Sequence, residues 1–335
     1  MKNLILAIES SCDDSSIAVM DKNSYKCLFH KKISQELEHA KFGGVVPELA
    51  ARLHTTALPQ ILEQCKGYFD KLCAVAVTNE PGLSVSLLGG ITMAKVLSVS
   101  LGVPIIAVNH LVGHIYSLFL SEKACFDMGV LLVSGGHTML VNVDEKGFLQ
   151  ILAQTTDDSF GESFDKVAKM LSLAYPNGAC VQECAQKARE KNLHFPVPLL
   201  HSKELAFSFS GLKNAVRVKI NESANLSENE KSEIAFAFEE AAIAHIVDKV
   251  GKLFKTRKFK HFAIVGGASA NLKLRARIKA LCDEFDCELR LAPIEFCADN
   301  ALMIARAACA LYERGEFVGF ESDIISPKNK HFFRL

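Results

Sequence analysis

Two histidines spaced four residues apart offer the clearest chemistry in this sequence. His110 and His114 follow the apolar run Val103–Val108. Asn109, which separates this run from His110, can cap a helix. Residues i and i+4 project from one helical face, so both imidazoles could bind one cation. A structural role is an open alternative, because a chain with 11 His contains such spacings by chance. The position just after a buried strand, where α/β proteins place ligands, favours a metal.

A metal site of this kind needs a third ligand, which a distant carboxylate can supply. Asp299 lies in Cys297-Ala-Asp-Asn300, at the start of an apolar helical stretch. One interpretation is that Asp299 only caps that helix. The other is that Asp299 reaches His110 and His114 from the opposite lobe and completes the site.

Two glycine-containing segments could let a nucleotide approach the backbone. Ser134-Gly-Gly-His-Thr138 offers N–H groups with little side-chain obstruction, as a phosphate site requires. Gly266-Gly-Ala-Ser-Ala-Asn271 follows an expected strand and precedes an expected helix, so a nucleobase or ribose could approach there. A plain hairpin turn explains the first segment equally well, and the second lacks the G-x-G-x-x-G spacing.

Two carboxylates are further candidates. Asp165 lies in an acidic segment at the start of a helix, where the helix dipole stabilises negative charge. It either helps to cap that helix or accepts hydrogen bonds from a ribose or a substrate hydroxyl. Asp13 lies at a polar hairpin tip, where it either orients a nucleophile or closes a local turn.

The elements that must position these residues show signs of duplication. An apolar hairpin, Asn3–Glu9 with Ile17–Met20, resembles a second, Gly129–Val133 with Thr138–Val143. Each hairpin is followed by a strand, glycines and a helix, and these units are Cys73 to Ser100 and His261 to Cys282. The repeat predicts an α/β fold of two lobes with a cleft between them.

The lobe boundary is expected near Ser121–Phe126, giving an N-terminal lobe of residues 1–122 and a C-terminal lobe of residues 123–335. Breakers around residues 176–178 and 196–198 indicate a helical insertion at about residues 152–215 of the sequence. A long helix, Glu228–Phe254, should follow, because Ser227 and Glu230 form a capping-box pattern.

Composition narrows the setting. With 335 residues, 49% hydrophobic and 23% charged, the chain should fold into a two-lobed globule. Lys+Arg and Asp+Glu both number 38, so a nucleic acid would have to bind a local basic patch, for which Lys252–Lys260 and Lys328–Arg334 are candidates. Both stretches could equally be solvated surface.

The cysteines and the apolar regions bear on location. The 11 Cys include no C-x-x-C pair, which favours reduced thiols in the cytoplasm. The apolar run at the N-terminus is too short for a signal peptide. The region Leu72–Leu120 is interrupted by glycines, prolines and Lys95, so we expect no membrane span.

Familiar catalytic motifs are absent, while a series of other motifs is present. The sequence has no H-E-x-x-H, G-x-S-x-G or P-loop pattern, which argues against zincin proteases, α/β-hydrolases and P-loop NTPases. Taken in order, eight segments closely resemble the TsaD family. They are Glu9-Ser-Ser-Cys-Asp-Asp14, Gly43-Gly-Val-Val-Pro-Glu-Leu-Ala50, Asn109-His-Leu-Val-Gly-His114, Ser134-Gly-Gly-His-Thr138, Phe164-Asp-Lys166, Phe207-Ser-Phe-Ser-Gly-Leu-Lys213, Gly266-Gly-Ala-Ser-Ala-Asn271 and Cys297-Ala-Asp-Asn300.

The resemblance implies a fold and an activity. The fold would be the duplicated actin, Hsp70 and sugar-kinase-like fold. The activity would be transfer of threonylcarbamoyl from threonylcarbamoyl-AMP to N6 of the adenosine 3′ of the anticodon, in tRNAs that read codons beginning with adenine. The implied partners are tRNA, a TsaB-like paralogous subunit and a TsaE-like ATPase.

The resemblance also implies residue roles. His110, His114 and Asp299 would hold one divalent metal per chain, with Fe²⁺ favoured and Zn²⁺ the alternative, and Asp13 would lie near the reacting centre. The cleft would bind threonylcarbamoyl-AMP or an adenine nucleotide, and the contacting residues would be Leu132, Val133, Ser134, Gly135, Gly136, Asp165, Gly178 and Asn271.

The sequence departs from the family pattern at three places. Tyr175-Pro-Asn-Gly-Ala179 replaces the usual Tyr-Pro-Gly-Gly-Pro, which bears on the turn at Gly178. Asp14 and Asn109 replace a commoner Glu and a commoner His, and we assign neither a ligand role. A metallopeptidase using the same three ligands and a non-catalytic scaffold of the same fold are the alternative functions.

Overall fold

The computed structural model describes residues 2–173, 178–223 and 225–335. Contacts between Cα atoms divide the chain into two units, of which the first comprises Met1–Cys125 and Ala292–Leu335 and the second Phe126–Leu291.

The first unit is built on a five-stranded sheet of order β3-β2-β1-β4-β5. Strands β1 to β3 are antiparallel, whereas β4 and β5 run parallel to β1. Every residue of β1 and β4 is buried, so this part of the sheet is covered on both faces. The strands are β1 (Leu4–Glu9), β2 (Asp14–Asp21), β3 (Cys27–Ser34), β4 (Leu72–Glu80) and β5 (Ile105–Asn109).

Helices cover this sheet. The helices of the first unit are α1 (Glu36–Ala40), α2 (Pro47–Gln64), α3 (Ser84–Leu101), α4 (His110–Tyr116) and, from the end of the chain, α10 (Ala301–Glu313). Side chains of α2 and α3 form one apolar cluster with alternate residues of β1, such as Leu6 and Ile8. Ile5 and Ala7, which point the other way, are also fully buried, and α10 packs against β1 and β2.

The second unit repeats the same sheet. Its order is β10-β9-β6-β7-β8, with β6 to β8 antiparallel and β9 and β10 parallel to β6. This is the arrangement of the first sheet with β6 in the place of β1, so the predicted duplication is confirmed. The strands are β6 (Met128–Val133), β7 (Thr138–Val143), β8 (Leu149–Gln154), β9 (His261–Val265) and β10 (Glu288–Leu291).

The helices of the second unit include three that begin within residues 152–215, where the sequence predicts a helical insertion, and the predicted long helix after them. They are α5 (Phe160–Met170), α6 (Gly178–Gln186), α7 (Ser210–Ile220), α8 (Glu228–Thr256) and α9 (Leu272–Glu284). Helix α8 begins with the predicted capping box, in which Ser227 Oγ accepts from the Glu230 N–H and the Ser227 N–H donates to the Glu230 carboxylate. The core of this unit contains a series of ring contacts, made by Phe160 and Phe164 of α5, Phe209 just before α7 and Phe238 of α8.

The structure differs from the sequence-based expectations in two places. Strand β2 begins at Asp14 rather than at Ile17, because Ser15 and Ser16 are buried strand residues with hydrogen-bond partners. Residues 292–335 belong to the first unit rather than to the C-terminal lobe, because α10 packs against the first sheet.

Helix α3 is the one helix of the described residues that is long and apolar enough to cross a membrane, by length and composition only. Its side chains Leu87, Ile91 and Ala94 are buried in the apolar cluster beneath the first sheet. One face of α3 therefore packs against the first sheet, while Val85, Leu88, Val96 and Val99 are exposed.

The buried His245 of α8 makes stability depend on pH. Burial, reinforced by the nearby charge of Lys249, lowers the pKa of His245 to about 4. In the unfolded chain the His245 imidazole has a pKa near 6.5, so as the pH falls it takes up a proton there before it does in the folded chain. The stability that the neutral, buried imidazole gives is therefore fully present above about pH 6.5. It is lost as the pH falls towards 4, by about 3 kcal/mol at most. We expect His245→Gln, which keeps an acceptor for the Ser208 N–H, to flatten this part of the pH dependence.

Urea unfolding followed by circular dichroism at pH 7.5 and at pH 5 measures this difference. The exposed His194 provides the matched control, since His194→Gln should leave the loss of stability between the two pH values as it is in the parent. An unchanged loss in His245→Gln would contradict the assignment.

Candidate functional site

The sequence folds His110 and His114 onto one short buried helix. Asn109 ends β5 and caps α4, and its side-chain oxygen accepts from the backbone N–H groups of Leu111 at 2.9 Å and Val112 at 3.2 Å. The cap starts the helix at His110, as the sequence predicts, and the two imidazoles lie with ring centroids 4.6 Å apart. Both histidines are buried, and His114 is fully so.

Asp299 completes this pair. Its Oδ1 lies 3.3 Å from His110 Nε2 and 3.3 Å from His114 Nε2, and the three ligand atoms lie within 4.8 Å of one another. Asp299 does not cap α10, because Asn300 is the cap and accepts from the Met303 N–H at 3.0 Å. The carboxylate of Asp299 is thus left to face the imidazoles.

All three residues belong to the first unit. The expectation that Asp299 comes from the opposite lobe is therefore corrected. The reason is the packing of α10 against the first sheet, which brings the start of that helix to the carboxyl edge where α4 begins.

The arrangement fits a metal ion in its donors and spacing. Two ligand atoms bound at about 2.1 Å at a tetrahedral angle lie about 3.4 Å apart, close to the separations found here. Neither ring nitrogen of the buried His114 has a hydrogen-bond partner among the described residues, which is costly for an imidazole without a ligand. Two nitrogens and one carboxylate are donors that suit Fe²⁺ or Zn²⁺.

Glu9, at the end of β1, supports the first histidine. One carboxylate oxygen of Glu9 lies 3.0 Å from His110 Nδ1 and accepts from the Thr78 hydroxyl at 2.5 Å, and the other accepts from the Ser11 N–H at 2.6 Å. A carboxylate that accepts from Nδ1 fixes the tautomer of the imidazole and leaves Nε2 directed at the metal position. Glu9 begins the motif Glu9-Ser-Ser-Cys-Asp-Asp14, but nothing in its sequence position indicates this role, because His110 lies 101 residues away.

The charges of this cluster stabilise one another. Burial opposes ionisation of Asp299 and Glu9, but the charge and hydrogen bonds of the neighbouring His110 outweigh the effect of burial. The pKa of Asp299 is held well below its ordinary value, and the pKa of Glu9 is also lowered. Burial also opposes the charge on His110, yet Asp299 and Glu9 raise the pKa of His110 well above its usual range. For His114, burial prevails and lowers the pKa.

Asp13 lies at the tip of the β1–β2 hairpin, where its backbone oxygen accepts from the Gln35 N–H at 3.2 Å. The charges of Asp13 and Asp299 both act on Cys12, whose pKa is raised well above its usual range mainly by burial. Both carboxylates are therefore close enough to Cys12 for their charges to act on its thiol.

A buried polar network holds this hairpin tip in place. His54 of α2 donates from Nε2 to the Cys12 carbonyl at 2.9 Å, while its Nδ1 accepts from Ser15 Oγ at 2.7 Å. Gln35 joins His54 to His39, whose Nδ1 accepts from the Val46 N–H at 3.2 Å. Sequence reasoning missed this network, because single buried histidines carry no spacing signal.

The predicted nucleotide-contacting residues lie in the second unit. Leu132 and Val133 are buried at the end of β6, Ser134 follows them, and Gly135 and Gly136 are exposed in the turn. A Cβ atom added to Gly135 or Gly136 would meet nothing within 4 Å, so the turn has open space around it. Helix α5 is tied to this turn, because Ser159 Oγ donates to the Gly135 carbonyl at 2.7 Å.

Three further candidates lie on neighbouring helices. A Cβ atom on Gly178, at the start of α6, would lie 3.6 Å from a carboxylate oxygen of Asp165 on α5, so these two are close together. Asn271 caps α9 by accepting from the Leu274 N–H at 2.8 Å and donates to Glu239 at 2.9 Å. Residues 175–177, on which the departure at Asn177 falls, lie outside the described residues.

Gly266 has a different reason to be glycine. Its φ is +95°, and a Cβ atom there would lie 2.3 Å from the Val133 carbonyl oxygen. The backbone of β6 therefore requires glycine at this position, irrespective of any ligand.

Comparison with known proteins decides the family. The model of the TsaD family, described as tRNA N6-adenosine threonylcarbamoyltransferase, matches residues 26–306. The chain belongs to the TsaD family.

Curated relatives carry the same description over their full length. A tRNA N6-adenosine threonylcarbamoyltransferase of Campylobacter jejuni subsp. doylei is 64% identical over 335 residues, which cover 100% of both chains. One from Campylobacter curvus is 59% identical and covers 98% of this chain and 100% of its own. These relatives do not favour the metallopeptidase and scaffold alternatives.

Solved structures share the fold at low identity. HypF from T. kodakarensis has a TM-score of 0.61 and 13% identity, with 93% of this chain and 48% of that chain covered. A ROK family protein from Streptococcus pneumoniae has a TM-score of 0.50 and 12% identity, with 93% and 99% covered. The predicted actin, Hsp70 and sugar-kinase-like fold class is confirmed.

The departures from the TsaD pattern at Asp14 and Asn109 have structural explanations. Asp14 forms an ion pair with Lys32 at 2.7 Å, and burial raises the pKa of Asp14 to about 6 despite this pair. Asn109 caps α4 and donates to Glu80 at 3.1 Å. Neither side chain belongs to the His110, His114 and Asp299 cluster.

Glu9→Gln tests the support of His110. An amide in place of the carboxylate would present one acceptor oxygen instead of two, so His110 Nδ1 would lose a charged partner. We expect the affinity for Fe²⁺ or Zn²⁺ to fall by about 10- to 100-fold. Chelator competition measures this, and Glu239→Gln, a substitution of a similarly buried carboxylate in the second unit, should leave the metal affinity unchanged. Equal effects of both substitutions would contradict a specific role for Glu9.

Proposed function

We propose that this chain transfers threonylcarbamoyl to tRNA with the help of one divalent cation held by His110, His114 and Asp299. Membership of the TsaD family makes the chain a tRNA N6-adenosine threonylcarbamoyltransferase. The observation that carries the metal part is the meeting of both imidazole Nε2 atoms at one oxygen of Asp299, at 3.3 Å each.

The residues of the site have distinct parts in this proposal. Glu9 holds the proton on His110 Nδ1, so that Nε2 offers a lone pair. His114 offers a ring nitrogen that has no hydrogen-bond partner among the described residues. A bound divalent cation would supply Lewis-acid stabilisation of the charge that develops on the transferred carbonyl. Fe²⁺ is favoured, and Zn²⁺ fits the same donors.

The adenylate half of threonylcarbamoyl-AMP binds, in this proposal, to the second unit. The turn Ser134 to Gly136, which continues buried Leu132 and Val133, offers backbone N–H groups in open space to a phosphate. Asp165, beside Gly178, accepts from the ribose hydroxyls, and Asn271 contacts the nucleoside. An adenine nucleotide such as ADP or ATP would use the same contacts.

The chemistry requires positioning more than a strong base. N6 of the adenosine attacks the carbamoyl carbon, the bond to the phosphate oxygen breaks, and AMP leaves with that electron pair. A mixed anhydride is already activated, and correct positioning can supply about 7–11 kcal/mol of the barrier. Asp13, at the tip of the β1–β2 hairpin, is the group that we place at the reacting amine, whose proton it accepts.

The setting of the reaction completes the proposal. The partners are tRNA, a TsaB-like paralogous subunit and a TsaE-like ATPase, and the location is the cytoplasm. The sequence supports a reducing compartment, because its 11 cysteines include no C-x-x-C pair.

Substitutions in the first unit separate metal binding from chemistry. His114→Ala and Asp299→Ala should lower both the bound metal and the transfer of threonylcarbamoyl, the latter by about 100-fold or more, because three ligands cannot be reduced to two without loss of the ion. Asp13→Asn should lower transfer while leaving the metal content at one per chain. Metal analysis and product detection in tRNA nucleosides measure the two effects, and His201→Ala on the exposed surface is the control.

Unchanged transfer in His114→Ala and Asp299→Ala would overturn the proposed role of the metal. Loss of metal in Asp13→Asn would assign that residue to the metal site instead of the reacting amine.

Two glycine substitutions separate ligand binding from folding. Gly135→Ala should keep the stability of the parent, because the added Cβ meets no protein atom, but weaken binding of an adenine nucleotide by about tenfold through obstruction of the phosphate. Gly266→Ala should lower the free energy of unfolding by about 2 kcal/mol or more through strain at positive φ. Calorimetric titration with ADP and chemical unfolding measure the two outcomes. Nucleotide affinity unchanged in Gly135→Ala would contradict the proposed phosphate contact.

A further inference from the structure

The last ten residues of the chain form a basic segment on a protein without net charge. Lys+Arg and Asp+Glu both number 38 in the sequence, whereas Ser326–Leu335 contains Lys328, Lys330 and Arg334 and no acidic residue. All three cationic side chains are exposed. A polyanion would therefore meet positive charge locally here, although it meets none overall.

Buried polar groups of the first sheet hold this segment. Glu80, fully buried at the end of β4, accepts from the His331 N–H at 2.6 Å and lies 3.0 Å from His331 Nδ1. Asn109 donates to Asn329 Oδ1 at 2.6 Å. Phe332 and Leu335 are buried, so the segment has a fixed inner face.

The outer face of the segment carries cations and an aromatic ring. Lys328 and Lys330 alternate with the anchored Asn329 and His331, are exposed, and have no ion-pair partner among the described residues. The ring of Phe333 is 56% exposed. A cavity of about 610 Å³ lies beside these residues. Its lining includes Lys330, His331, Phe333 and Arg334 and also the carboxylates of Glu80, Glu316 and Asp323, so the positive charge lies on the segment and not on the whole cavity wall.

The hydrogen bonds that hold the segment Ser326–Leu335 also place it beside the candidate metal site. Asn109 binds Asn329 through Nδ2 and caps α4 through Oδ1, so one side chain joins the segment to the helix that begins with His110. Glu80 and Asn109 end β4 and β5 at the same edge of the sheet where Glu9 ends β1.

We propose that Lys328 to Arg334 is a tRNA-binding surface, in which Lys328 and Lys330 contact phosphates next to the modified adenosine and Phe333 stacks on a neighbouring base. The proposal rests on the proposed function, because it takes tRNA as the substrate. Exposed cations with an interleaved aromatic ring match unpaired RNA, whose bases are free to stack and whose phosphates are closely spaced.

The other basic stretch is less suited to this role. Lys252, at its start, is engaged within the second unit, where its ammonium group donates to the carbonyls of Leu200 and Ser202 at 3.0 Å each and pairs with Asp248 at 2.6 Å. The same stretch contains exposed Lys255 and Lys258, which makes these two a matched control for the charge of Lys328 and Lys330.

The experiment compares three variants of the full chain in the presence of its partner proteins. Lys328→Glu with Lys330→Glu should weaken binding of an unmodified tRNA about tenfold or more at 0.1 M salt and reduce the slope of log Kd against log salt by about 1.5. Phe333→Ala should weaken binding about tenfold with the slope unchanged. Lys255→Glu with Lys258→Glu should change the affinity less than about twofold. Fluorescence anisotropy at several salt concentrations measures all three.

The outcomes are distinguishable. The proposal is overturned if Lys328→Glu with Lys330→Glu keeps the tRNA affinity and the salt slope of the parent chain. It is also overturned if Lys255→Glu with Lys258→Glu loses as much affinity. Lys328→Arg with Lys330→Arg keeps the charge and should bind as the parent does, and a loss there also counts against phosphate contacts. A parent chain that binds tRNA but forms no modified adenosine would contradict the proposed function, while the affinity comparison would still judge the surface.

Discussion

The contact between Asp299 and two buried imidazoles is the interaction on which the first unit depends. Burying a carboxylate beside His110 and His114 is unfavourable unless each charge has a partner. The structure supplies these partners on both sides, with Glu9 on one nitrogen of His110 and Asp299 on the other. Helix α10, the Asn109 cap and the end of β1 all converge at this point, so the fold of the unit can be understood as the support of this cluster.

The equivalent sheet edges of the two units carry groups that suit ligands of opposite charge. Strands β1 and β4 end in Glu9 and Glu80, which bind an imidazole and the C-terminal segment. The equivalent strands β6 and β9 end in Val133 and Val265 and are followed by turns rich in glycine. One edge therefore presents carboxylates suited to cations, and the other presents backbone N–H groups suited to anions.

Local patterns in the sequence were sufficient for the central elements and insufficient for the edges. The hairpin arms, the long helix α8 and its capping box follow from apolar periodicity and a short motif. Strands β3, β8 and β10 went unrecognised, because these three edge strands bury few side chains and lack an apolar pattern. The buried polar residues Ser15 and Ser16 also read as a turn, since their partners lie far away in the chain.

The candidate ligands could be proposed from spacing, but the role of each histidine is decided by its partners. His54 and His39 are as buried as His114, yet their ring nitrogens are occupied by hydroxyl, amide and backbone groups, which suits a structural role. His245 likewise accepts from a backbone N–H and packs against two phenylalanine rings. His110 and His114 differ in facing a shared carboxylate, and His114 has no hydrogen-bond partner among the described residues. Long-range packing sets these partners, and for that reason a single sequence leaves the i, i+4 pair open to either interpretation.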